Sequence, residues 1–197
     1  MRAQAFFHIA IFSLVLTSLF LTACGTPAPA KTIEPTPNQS VAATKTTASE
    51  WDWFSVELTD AQTGQTFTMN DYAGQVVLVE TMAIWCPNCI VQANEVRNLH
   101  QLLGNPDDLV SVSLDVDPNE DRASLKEYVK EFGFDWHFAV APLEVARALG
   151  NLYSAEYLNP PLSPMLIIDR NGNVYTLEYG KKSAETLQKS VEPYLTQ

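Results

Sequence analysis

Trp85-Cys86-Pro87-Asn88-Cys89 stands between two stretches of different pattern, and that position constrains the fold more than any other feature of the chain. Upstream, Val76-Val77-Leu78-Val79-Glu80-Thr81-Met82 is a short apolar run of the kind buried on both faces of a sheet, interrupted by a single carboxylate, Glu80. Downstream, Ile90, Ala93, Val96, Leu99 and Leu103 recur at helical spacing. Pro87 suits the first helical position and Gly104 supplies a stop, so a helix is predicted over 87–103. One helical turn brings Cys86 and Cys89 to disulfide distance. Cys86 then lies where unpaired N–H groups and the helix dipole favour a thiolate, and Cys89 is placed to resolve a mixed disulfide. On this reading Cys86 is the exposed nucleophile and Cys89 the more buried thiol.

The same spacing also serves half of a zinc site, or a static cross-link. No second such pair exists, the histidines His100 and His137 lack ligand spacing, and so short a loop is a poor long-range staple. Redox use is favoured and no metal or other cofactor is expected beyond the Cys86–Cys89 pair itself. Asp115 and Asp117 are read as a strand end and a helix cap, not as metal ligands. With 12 Lys and Arg against 23 Asp and Glu, the chain has no basic stripe for a phosphate backbone, so nucleic acid is not an expected partner.

The chain divides into three parts. After Arg2, the run from Ala5 to Leu21 carries no formal charge and is almost wholly apolar, the layout of a signal peptide over residues 1–23. An uncleaved transmembrane helix is the alternative, since the run is close to the length that spans a bilayer. Residues 24–50 are rich in Thr, Pro and Ala without an aromatic residue and read as a tether, with a reach of roughly 25–30 Å. Residues 51–197 hold the aromatic and aliphatic clusters and form the one expected domain.

Within that domain a β-hairpin is predicted from Trp53–Leu58 and Gln65–Met69 around Thr63-Gly64, and a second buried strand over Leu109–Leu114. Asp117-Pro118-Asn119-Glu120 has the form of a capping box opening a helix that contains Leu125, Tyr128, Val129 and Phe132. A third strand at Trp136–Val140, a short helix at Pro142–Gly150, a hairpin of Met165–Asp169 with Val174–Tyr179, and a helix at Ser183–Leu195 complete the pattern. Strands alternating with helices, with hairpins at both ends, imply an α/β sandwich with a mixed sheet.

Two resemblances sharpen this reading. Leu21-Thr22-Ala23-Cys24 resembles the lipobox of bacterial lipoproteins, which implies cleavage before Cys24 and lipidation of its sulfur; two or three acyl chains hold a protein stably on a membrane. Asp71–Glu80 followed by Ala83-Ile84-Trp85-Cys86-Pro87-Asn88-Cys89 resembles the thioredoxin superfamily, and more closely its membrane-tethered TlpA/ResA-like branch. That resemblance implies a thioredoxin-like three-layer sandwich, a mixed central sheet flanked by helices with an N-terminal β-hairpin. It also implies thiol–disulfide exchange and a cis-proline loop facing the cysteines. Pro164 matches the loop proline, and Ser163-Pro164, with Trp85 and Pro87, forms the expected substrate-binding surface. Glu80, six residues before Cys86, matches the buried acid that exchanges a proton with the resolving thiol.

Members of that branch often reduce apocytochrome or copper-site cysteines with electrons from a membrane thiol transporter of the CcdA/DsbD kind. The resemblances thus imply a lipid-anchored, extracytoplasmic protein-disulfide reductase, with a monomer as the default expectation. An oxidative disulfide donor, a Cu(I)-binding carrier and a redox-inert interaction module stay open as alternatives. Peroxidase chemistry is disfavoured because Ala83 stands where a peroxiredoxin has Thr or Ser.

Overall fold

The computed structural model describes residues 52–196, so the signal segment 1–23, Cys24 and the tether 24–50 lie outside the described residues. Strands β1 (Leu58–Thr59) and β2 (Thr66–Phe67) pair antiparallel as a small ribbon. β3 (Val76–Met82), β4 (Leu109–Asp115), β5 (His137–Val140), β6 (Met165–Ile168) and β7 (Val174–Thr176) form one mixed sheet in the order β5-β4-β3-β6-β7. β3, β4 and β5 run parallel, while β6 and β7 are antiparallel to their neighbours. Helix α1 (Pro87–Leu103) joins β3 to β4, α2 (Arg122–Phe132) joins β4 to β5, α3 (Leu143–Leu152) follows β5, and α4 (Ala184–Leu195) closes the domain. This is the thioredoxin-like α/β sandwich. Among the described residues no helix is long and apolar enough to cross a membrane.

Strand periodicity sorts the core into layers. Val76, Leu78, Glu80 and Met82 of β3 register beside Leu109, Ser111, Ser113 and Asp115 of β4 and share one face. Part of that face packs against Val96, Leu99, Leu187 and Val191 of α1 and α4. Near its end Met82 meets Leu125 and Tyr128 of α2 together with Cys86 and Cys89. Val77, Val79, Val112 and Leu114 point the other way, onto Val145 and Leu149 of α3 and onto Trp53, Leu58 and Phe67.

The helix signals operate as their chemistry requires. Pro87 opens α1, and Gly104 ends it in the left-handed conformation at φ 73°. Ser183 caps α4 by accepting the Thr186 N–H. Two expectations need correction. The N-terminal hairpin is shorter than its pattern predicts, because Trp53–Ser55 forms a 3₁₀ turn that buries Trp53 and lets its indole N–H donate to the Tyr153 hydroxyl at 3.1 Å. The helix after β4 starts at Arg122 under Asp121, whose carboxylate accepts the Ser124 N–H at 2.8 Å; Asp117 and Glu120 are not its capping box. Their carboxylates are engaged by the segment that precedes Cys86.

The β6–β7 turn is organised by one acid. Asp169 accepts the N–H groups of Asn171 and Asn173, at 2.9 and 2.8 Å, the Asn173 side-chain amide at 2.9 Å and the Tyr175 hydroxyl at 3.2 Å. Burial works to raise its pKa, and these donors outweigh it, holding the carboxyl below its ordinary value. Asp169→Ala is expected to lose about 2 kcal/mol in urea unfolding. Because the native pKa is the lower one, this stabilisation is present above the unfolded-state pKa and is lost as pH falls through the native one. Parent and variant stabilities are therefore expected to converge in acid.

Candidate active site

The cysteine pair sits where a strand buried throughout its length gives way to a helix. Cys86 is the N-cap of α1: its Sγ lies 3.2 Å from the Cys89 N–H, which it accepts, and its own N–H donates to the Ala83 carbonyl. The two cysteines are joined as a disulfide with Cα atoms 5.3 Å apart. The expected asymmetry of exposure is absent in this form, with Cys86 at 0% and Cys89 at 3%. The cap geometry folds the Cys86 sulfur back over the first turn, into the cluster of Met82, Ala83, Leu125 and Tyr128. The exposed flanks are Trp85, at 56%, and Pro87.

The loop after β4 pins the approach to Cys86. Asp117 accepts the Trp85 indole N–H at 2.6 Å, and Glu120 accepts the Ile84 backbone N–H at 2.8 Å. Behind them Asp115 is fully buried, and burial, followed by the adjoining Glu120 carboxyl, raises its pKa to about 8 against the lowering effect of the Asp117 N–H. Among the described residues no group of three or more His, Cys, Asp or Glu side chains is arranged to hold a metal ion.

A second loop closes the other side. The Pro160 carbonyl oxygen lies 3.5 Å from the Cys89 sulfur, and the Asn88 side-chain amide donates to the Pro161 carbonyl at 2.8 Å. Ser163 follows in the left-handed region, φ 47° and ψ 55°, with its hydroxyl buried and without a partner. Pro164 then enters the sheet, where its carbonyl accepts the Thr81 N–H of β3 at 3.1 Å. The Pro160 and Pro161 carbonyls thus face the cysteine turn, and Pro164, which is buried, joins the loop to the strand bearing Glu80. Met165 packs in the α1–α4 cluster, apart from the cluster that holds the cysteines.

Glu80 is 4% exposed. Burial raises its pKa to about 7, while the Ser113 hydroxyl and the charge of Lys182 act to lower it. Ser113 donates to Oε1 at 2.5 Å and itself accepts the Trp136 indole N–H at 2.9 Å. Tyr128, whose hydroxyl is buried without a partner, faces the same charge from α2. A carboxyl with a pKa near neutral exchanges its proton on either side of pH 7, which suits it to serve a thiol. Ser113, Lys182 and Tyr128 escape sequence reasoning. The one trace they leave is the alternation of Ser111, Ser113 and Asp115 in a strand otherwise apolar, which marks a polar ridge on one face.

Among solved structures, a thiol:disulfide interchange protein of the thioredoxin family from Chlorobium tepidum superposes with a TM-score of 0.57 at 20% identity, covering 71% of this chain and 92% of its own. A SCO1/SenC family lipoprotein from Bacillus anthracis gives 0.57 at 19% identity, with 74% and 95% covered. A secreted Mycobacterium tuberculosis disulfide oxidoreductase homologous to Escherichia coli DsbE gives 0.53 at 15%, with 70% and 95% covered. No curated protein sequence is similar enough to count as a match. These likenesses establish the thioredoxin-type fold, and the Redoxin family matches residues 25–194. With that match spanning most of its length, the chain belongs to the Redoxin family and has a thiol–disulfide oxidoreductase fold built around a close cysteine pair.

Proposed function

We propose that this chain is a lipid-anchored, extracytoplasmic reductase of protein disulfides. The observation that carries the reading is the Cys86–Cys89 pair at the N-terminus of α1, with the buried, near-neutral carboxyl of Glu80 on the strand leading into it. In the reduced protein the Cys86 thiolate attacks a substrate disulfide, forming a Cys86–substrate bond and releasing one substrate thiolate. Glu80 takes the proton of the Cys89 thiol; the Cys89 sulfur attacks the Cys86 sulfur, and the second substrate thiolate leaves. Two electrons pass to the substrate and the Cys86–Cys89 disulfide remains, to be reduced by a membrane thiol donor of the CcdA/DsbD kind. An extended substrate segment approaches past the exposed Trp85 and Pro87 and pairs with the Ser163-Pro164 loop, which is covered in the disulfide form. The lipobox-like Cys24 supplies the anchor and sets the protein outside the cytoplasm. That solved structures of similar fold include a secreted oxidoreductase and a lipoprotein supports this placement.

Three measurements test the reading. Equilibration of the full chain with dithiothreitol and glutathione buffers is expected to give a reduction potential near about −270 mV, as for thioredoxin; a value near about −120 mV makes it a disulfide donor instead. The resolution step, followed by quench-flow with a peptide disulfide, is expected to accelerate as pH rises through 7, where Glu80 ionises and becomes a proton acceptor. Glu80→Gln is expected to abolish that rise and slow the step by about a hundredfold above pH 7; an unchanged profile rejects the role. Mass spectrometry of the membrane-extracted protein is expected to show a chain beginning at a diacylglyceryl-modified Cys24, and an intact, unmodified N-terminus refutes the anchor.

A further inference from the structure

The cation that faces Glu80 comes from the far end of the sequence. Lys182 lies in the turn between β7 and α4 and is 7% exposed, an environment in which an ammonium persists only with partners. Its Nζ donates to the Ser163 carbonyl at 2.9 Å and to the Gly180 carbonyl at 2.6 Å. Its backbone is fixed on both sides by Gln92, buried on α1 three residues beyond Cys89: Oε1 accepts the Lys182 N–H at 2.8 Å and Nε2 donates to the Lys182 carbonyl at 3.1 Å. The Gly180 N–H donates to the Leu162 carbonyl at 2.7 Å. The turn at 180–182 thus carries the loop at 160–164 on two hydrogen bonds, and the active-site helix carries the turn on two more.

Among the described residues no carboxylate lies within 4 Å of Lys182, so Glu80 acts on it through the low-dielectric interior without direct contact. The effect is reciprocal: Lys182 lowers the pKa of Glu80, and Glu80, then Glu178, raise that of Lys182, which burial nonetheless depresses to about 8. Other groups facing Glu80 are the Ser113 hydroxyl from β4 and the Tyr128 phenol from α2, with Asp115 and Glu120 beyond Tyr128. Ser113 and Tyr128 are uncharged at neutral pH, which leaves Lys182 as the cation of this set. Ser163 is the residue whose carbonyl it grips, and a left-handed serine persists only where its surroundings enforce it.

We propose that Lys182 is a positioning residue of the exchange reaction, tying the charge on Glu80 to the conformation of the Ser163–Pro164 loop on which substrate docks. While Glu80 is ionised, Lys182 keeps its proton and holds the Ser163 and Gly180 carbonyls. When Glu80 takes the Cys89 proton in the resolution step, that attraction vanishes, the buried ammonium is less stable, and its grip on the loop weakens as the reduced substrate leaves. The proposal rests on Glu80 acting as proton acceptor.

The test compares the full chain with Lys182→Met and Lys182→Arg. In Lys182→Met the pH at which resolution accelerates is expected to move upward by about one unit, because a cation that favoured the carboxylate has gone, and Lys182→Arg is expected to restore it. KM for a peptide disulfide is expected to rise about tenfold in Lys182→Met as the loop loses its support, a change of about 1.4 kcal/mol. An unmoved inflection overturns the proposal. Should Lys182→Met fail to fold, the Glu80 side-chain carboxyl is titrated by carbon NMR in the unmodified chain. A two-step curve, with the second step at the Lys182 titration, supports the coupling and a single step overturns it. Glu80→Gln run alongside separates the failures. A profile unchanged there rejects the proton-acceptor reading and this proposal with it; a profile changed there but undisplaced in Lys182→Met rejects this proposal alone.

Discussion

A carboxyl buried in the central strand of the sheet governs how this domain is built. β3 has neighbours on both edges and packed layers on both faces, so Glu80 has no route to water along its own strand. Ionising an isolated carboxylate there costs several kcal/mol even after relaxation. The surroundings offset part of that cost: a serine at the facing register position on β4, an indole behind the serine, and a lysine brought in from the turn before α4. Their sum leaves the acid near neutrality. Full compensation would leave it permanently charged, and none would leave it permanently protonated; in neither state would it move a proton at physiological pH.

The disulfide depends on the same strand. β3 delivers the chain into the sheet end at Met82, and four residues later Cys86 must both cap α1 and reach Cys89. The segment between is held by carboxylates from the β4–α2 loop, at Ile84 by Glu120 and at Trp85 by Asp117. On the opposite side Asn88 is tied to the Pro161 carbonyl. The cysteine turn is therefore fixed by two loops distant in sequence, and its sulfurs are covered in the oxidised form. Approach to Cys86 runs past Trp85 and Pro87, the exposed residues on either side of it.

The parts legible in the sequence are those whose cause is local. The seven-residue apolar run became β3, Pro87 and Gly104 bounded α1, and Asp169 to Asn173 made the turn of a hairpin, because each depends on residues close in the chain. The parts that were not legible depend on what tertiary packing brings near. Asp117-Pro118-Asn119-Glu120 is a sound capping box by itself, but Ile84 and Trp85 present stronger claims on its carboxylates, and Asp121 is left to cap α2. Exposure of Cys86 was inferred from the needs of a nucleophile, whereas the cap geometry of the disulfide form turns its sulfur inward. Nothing near Lys182 in the sequence marks it as buried, since its partners are Ser163 and Gly180 carbonyls and a glutamine on α1.

Glu80 and Asp115 form an internal comparison. Both project from the same face of the sheet, near the cluster that contains the cysteines, and both are buried. For each, burial is the largest influence and raises the pKa. They differ in what else each meets. Glu80 has a hydroxyl donor and a cation, and stands at about 7; Asp115 has two further acids, Glu120 and Asp117, and stands at about 8 although its intrinsic acidity is the greater. Burial alone therefore does not set the two acids apart. The difference lies in the neighbours: the Ser113 hydroxyl, and after it the charge of Lys182, lower the pKa of Glu80, whereas the Glu120 carboxyl raises that of Asp115.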